Sequence, residues 1–120
     1  MAGFVVAGNP VPKARPRMFR GHAITPKRTR DYERSVADAA RTAGIVPIDG
    51  PVMVRLTFYR QNAQRCDLDN LVKSCTDGMN GVCYRDDSQI VRIEAEKAID
   101  RTHPRAVVEI HPMPALRLGG

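Results

Sequence analysis

"PVMVRLTFYRQNAQRCDLDNLVKSCTDGMNG" spans residues 51–81, and the hydrophobic period changes once along it. Val52, Val54, Leu56 and Phe58 alternate with other residues, the two-residue period of a half-buried strand. After the polar "QNAQRC", Leu68, Leu71, Val72, Cys75 and Met79 recur at helical spacing, and Asn80-Gly81 ends the run with turn chemistry. A strand therefore feeds a helix, and "DLDNLVK" (67–73) stands where one period gives way to the other.

Outward from this unit the same reasoning continues. "GFVVAG" (3–8) reads as a short buried strand. Residues 9–30 carry four prolines and no periodicity, which predicts a long surface loop. From Thr29 to Ala43 a helical face of Tyr32, Val36, Ala39, Ala40 and Ala43 appears, ended by Gly44. Residues 89–99 alternate, with Val91, Ile93 and Ala95 opposed to Arg92, Glu94 and Glu96, and "DRTHP" leads on to "AVVEIHP" as a β-hairpin. The order β-α-β-α-β-β predicts an α/β (α+β) fold, a single mixed sheet with two helices, in one domain over residues 1–120. Residues 113–120 read as a flexible tail.

The length of 120 residues allows one modest core. An apolar content of 42% argues against a disordered chain, and no apolar run approaches the ~18 residues of a membrane span. Three cysteines, Cys66, Cys75 and Cys83, suit a reducing cytoplasm better than a disulfide framework. Their spacing matches no zinc motif, and His22, His103 and His111 are scattered. The charge is lopsided. Residues 1–30 hold Lys13, Arg15, Arg17, Arg20, Lys27, Arg28 and Arg30 with no acid, a local +7, while the remainder sums to −1. A solvated basic loop would read this way, but cations lacking counter-ions in a Pro-punctuated loop favour an arm that binds a polyanion.

Against that basic background the acids need a reason. Residues two apart on a helix point ~200° away from each other, whereas in extended chain they share a side. Asp67 and Asp69 can therefore act together only if Asp67 is extended and Asp69 opens the helix. A helix cap with an Asp69–Lys73 i,i+4 pair accounts for one aspartate but not for two. Asp86 and Asp87 in "YRDDSQI" add a second acidic corner, readable also as turn residues. Carboxylates without histidine suit hard Mg²⁺ rather than Zn²⁺, and EF-hand spacing is absent. Asp77 lies about 12 Å along the helix from Asp69, too far to share one ion, and reads as structural.

"DLDNLVK" followed by "YRDDSQI", with "VPKARPR" and "ITPKRTRDYE" upstream, resembles the RusA family of Holliday-junction resolvases of bacteria and their phages, over about Pro10 to Ile93. The resemblance implies an Mg²⁺-dependent endonuclease, with Mn²⁺ as a substitute and no organic cofactor. Asp67, Asp69 and Asp87 match the family's metal-binding aspartates, with Asp86 an additional candidate, and Lys73 matches its lysine. It further implies a C2 homodimer acting on branched DNA in recombination, repair or phage DNA processing, in the cytoplasm, with no membrane partner. The basic loop would track the DNA arms. Two other readings fit the residues: a non-catalytic DNA-binding module, and a flap or branched-DNA nuclease of broader choice.

Overall fold

The computed structural model describes residues 2–115 and 118–119. Its elements are β1 (Ala2–Ala7), β2 (Arg17–Phe19), β3 (His22–Ile24), α1 (Lys27–Thr42), β4 (Val52–Arg60), α2 (Leu68–Met79), a 3₁₀ turn (Asp87–Gln89), β5 (Ile90–Ile99) and β6 (Arg105–Pro112). The main sheet runs β1-β6-β4-β5 and is mixed: β6 lies antiparallel to both β1 and β4, and β4 parallel to β5. The fold is α+β, as its periodicities predict.

Alternation decides which face of the sheet is buried. Val52, Val54, Leu56 and Phe58 of β4 join Ala106, Val108 and Ile110 of β6 and Phe4 and Val6 of β1 in one core. The stripe Leu71, Cys75 and Met79 of α2, with Tyr32, Val36 and Ala40 of α1, covers that face. The other face is wetter, with Arg55 of β4 between Glu94 and Glu109 at 3.3 and 3.6 Å.

Two expectations are corrected. The strands at 90–99 and 105–112 form, but not as a hairpin, because β4 lies between them. Alternation identifies a strand without naming its partner. Apolar β4 takes the centre, where both its edges are paired, and the charged "RIEAEK" strand takes the edge, where charge discourages further pairing. The loop at 9–30 also holds structure: β2 and β3 pair as a small hairpin. Arg20 (φ 51°) and Gly21 (φ 78°) make its two-residue turn, both left-handed as a type I′ turn requires. Helix α1 begins at Lys27, two residues before the predicted start, with Pro26 at its N-cap. Of the predicted tail, Leu116, Arg117 and Gly120 lie outside the described residues.

The two helices meet closely at Gly78. A Cβ there would lie 2.7 Å from the Glu33 carbonyl oxygen and 2.8 Å from the Val36 Cβ. Gly78→Ala is expected to force the helices apart and to destabilise the fold by about 1–3 kcal/mol, as overpacking does. Urea unfolding at a constant m-value measures this.

Candidate active site

Parallel neighbours such as β4 and β5 need a crossover, and α2 is that crossover. Its first turn stands where the strand-like chain becomes helical. Asp67 is the N-cap, with extended backbone (φ −78°, ψ 131°), and Asp69 lies in the first turn. This is the arrangement in which the two acids can act together. Asp67 makes no side-chain cap bond, and among the described residues the Asp69 carboxylate accepts only from the Asn70 N–H at 3.0 Å. The capping alternative therefore lacks its main bond.

The second acidic element is fastened to the same helix. Buried Tyr84 donates its hydroxyl to the Thr76 carbonyl at 2.6 Å. The Gln89 amide donates to the carbonyls of Ile48 (2.7 Å) and Gly50 (2.9 Å), while its oxygen accepts from the N–H groups of Arg85 and Asp86. The Asp86 carboxylate accepts from Ser88 N–H at 3.0 Å, and hydrogen bonding from the Ser88 side chain, then from that N–H, holds its proton affinity below the usual carboxylate range. Asp86 is thus committed to capping its own turn. Asp87 faces Lys73, with 4.0 Å between Nζ and Oδ2.

One open hollow between α2 and the start of β5 is lined by Asp69, Lys73, Thr76, Asp87, Ile90 and Ile93. Tertiary folding thus brings Asp69, Lys73 and Asp87 together across the linking turn. Asp67 is exposed at the helix start and is not among the lining residues. Among the described residues, no three of the His, Cys, Asp and Glu side chains gather closely enough to enclose a metal ion. Two carboxylates with solvent and a substrate phosphate are nonetheless the usual surroundings of Mg²⁺, and the hollow offers no nitrogen or sulfur ligand. Its donors fit a hard divalent cation. Burial pushes the Cys75 and Cys83 thiols up to about 12, which leaves them protonated and poor nucleophiles.

Lys73 pairs with Asp77 at 3.0 Å rather than with Asp69. Asp77 also pairs with Lys13 at 3.0 Å, and Lys13 reaches Glu33 of α1 at 2.7 Å. Two further bonds lay the segment around Lys13 along α2: Lys13 N–H to the Asn70 carbonyl (2.8 Å) and Ser74 hydroxyl to the Val11 carbonyl (2.6 Å). Lys13 is therefore a fastener at the base of the basic arm. Arg15, Arg17, Arg20, Arg28 and Arg30 are exposed, Arg20 resting 5.4 Å above the Phe19 ring, and Lys27 pairs with Asp31. Sequence reasoning missed Tyr84, Gln89 and the double pairing of Asp77. The Gln four residues after Arg85 was the available signal for the turn; nothing local marked the other two.

A family model described as Endodeoxyribonuclease RusA matches residues 7–111 of the chain. A protein of Bacillus subtilis (strain 168) described as "Uncharacterized protein YqaN" is 28% identical, with 93% of this chain and 96% of that one covered.

Burial alone would lower the Lys13 pKa, but its bonds to Glu33 and Asp77 outweigh that and raise it above its usual 10.5. A raised lysine pKa adds stability below the unfolded value, lost as pH rises through the folded one. Lys13→Met is accordingly expected to destabilise by on the order of 1 kcal/mol at neutral pH, allowing for the screening at a partly open site. The gap to wild type should close as pH climbs past 10.5. Denaturant midpoints compared across that range measure it.

Proposed function

The chain belongs to the RusA endodeoxyribonuclease family, and from that premise we propose that it resolves four-way DNA junctions by Mg²⁺-dependent hydrolysis at the α2–β5 hollow. The observation that carries the reading is the meeting of Asp69 and Lys73, one turn apart on α2, with Asp87 from the turn before β5, in one open hollow. Asp69 and Asp87 would hold the metal, with Asp67 as the third carboxylate, and Mn²⁺ substitutes for Mg²⁺ at such oxygen donors. When bound, the metal polarises the scissile phosphate and lowers the pKa of a water.

The chain's own residues do the rest. Lys73 is half exposed, and Asp77 holds its ammonium beside Asp87. It offers positive charge to a phosphate whose own negative charge grows during hydrolysis. The arm supplies affinity: Arg15, Arg17 and Arg20 on the β2–β3 hairpin, with Lys27, Arg28 and Arg30 on the first turn of α1, which contains no acid. Anchored by Lys13 next to Asn70, the arm rises from the same helix end as Asp69. A four-way junction is cut on two strands related by two-fold symmetry, so two copies act as a homodimer. An active particle of ~13 kDa in sedimentation would contradict that assembly. The setting is recombination, repair or phage DNA processing in the bacterial cytoplasm.

Asp69→Asn tests the reading. Asparagine keeps the shape and loses the charge, so cleavage of a synthetic four-way junction in Mg²⁺ is expected to vanish. Junction binding in metal-free buffer should persist or tighten. Asp67→Asn and Asp87→Asn should behave alike, with Asp77→Asn much milder. Y-shaped and linear DNA run alongside separate a junction enzyme from a broader branched-DNA nuclease. Full activity of the folded Asp69→Asn protein sinks the proposal.

A further inference from the structure

Arg60 ends β4 on the face that carries Val52, Val54, Leu56 and Phe58, so strand alternation turns its guanidinium inward. It is 7% exposed. Its Nη1 donates to the Gln64 carbonyl at 3.1 Å, and its Nε is buried without a partner among the described residues. Asp100, the acid bonded to the Arg60 backbone, donates its N–H to the Arg60 carbonyl but gives its carboxylate to Arg105, Thr102 and His103. A mostly buried guanidinium with a single neutral acceptor keeps donors that an anion would satisfy.

The surroundings supply room for one. Arg60 lines a cavity of about 260 Å³ together with Asn62, Gln64, Lys97 and Ile99, two cations and two amides with no acid. A single water occupies about 30 Å³, so the space exceeds what one bridging water fills. Lys97 is exposed, and its Nζ donates to the Cys66 carbonyl at 2.6 Å, one residue before Asp67. It therefore links this cavity to the start of the acidic motif.

Both hollows lie along the same edge strand. Ile93 lines the acidic hollow and Lys97 the basic one, on one face of β5 by their pairing with Val54 and Phe58. Four residues of strand span about 13 Å. A nucleic-acid strand winds round its axis as it advances ~3.4 Å per nucleotide, which puts successive phosphates ~6–7 Å apart, so about two nucleotides separate the two positions. We propose that the Arg60–Lys97 cavity binds a backbone phosphate of the DNA about two nucleotides from the scissile group. This rests on the reading of the chain as a DNA-cleaving enzyme. Arg60 and Lys97 neutralise the phosphate, and Asn62 and Gln64 offer amide N–H donors at its rim. The contact is to phosphate and indifferent to base identity, so it fixes the register of the strand over Asp69 and Asp87.

The test uses the full-length protein and a four-way junction without metal. In Lys97→Gln, with folding checked by its unfolding midpoint, the slope of log affinity against log salt should fall by roughly 0.9 per site, and Lys97→Arg should restore it. A junction series carrying one uncharged methylphosphonate at successive positions adds a map. One position about two nucleotides from the cut should weaken wild-type binding about tenfold and weaken Lys97→Gln less, since Arg60 alone then meets that phosphate. Normal binding and cutting with an unchanged slope and no such position overturns the phosphate site alone. A wild-type protein that neither binds nor cuts branched DNA overturns the underlying reading and the site with it.

Discussion

Everything at the site depends on the parallel pairing of β4 with β5. Two parallel neighbours cannot be joined by a tight turn, so the chain must cross back over the sheet, and α2 is the element that does so. Its apolar stripe faces the sheet, which leaves Asp69, Lys73 and Asp77 on the outer side. The return to β5 then carries the "DDSQ" turn past that outer side. The same pairing makes β5 an edge strand, and one of its faces borders both the acidic hollow and the basic cavity.

Asp77 is the electrostatic hinge of this arrangement. With Lys13 on one side and Lys73 on the other, its single carboxylate is shared by two cations that belong to different tasks. Lys13 fastens the arm, and Glu33 of α1 supplies the second negative charge needed to balance it. Lys73 is left oriented toward Asp87 but not consumed by it, since 4.0 Å is at the limit of an ion pair. A tighter Lys73–Asp87 pair would satisfy both groups internally and leave less charge to offer a phosphate.

Among the described residues, several cations are left without a carboxylate partner in the free protein. The first turn of α1 contains cations and no acid, opposite to what its dipole favours. The hairpin arginines are exposed, and Arg60 is buried beside a cavity without a carboxylate. By contrast, Arg55, Arg85 and Arg105, on surfaces away from the hollow, each have an acid at 3.3 Å or closer.

The elements themselves were legible from periodicity, because burial on one face is a local property that a two-residue or 3.6-residue repeat records. Strand β4, both helices and the acids of "DLDNLVK" and "YRDDSQI" were readable in this way, as was the need for Asp67 to be extended and Asp69 to open the helix. The partners were not. Alternation at 90–99 and 105–112 could not say that β4 would lie between them, nor could charge at position 13 say that Lys13 would be spent on Glu33 and Asp77. The arginine-rich turn at Arg20-Gly21 lacked the usual Asn or Asp, so the hairpin read as loop. Which carboxylate faces Lys73, and which cation goes without one, depends on segments tens of residues apart. Only packing a single core against both helices brings those segments within the few ångströms over which charges and hydrogen bonds act.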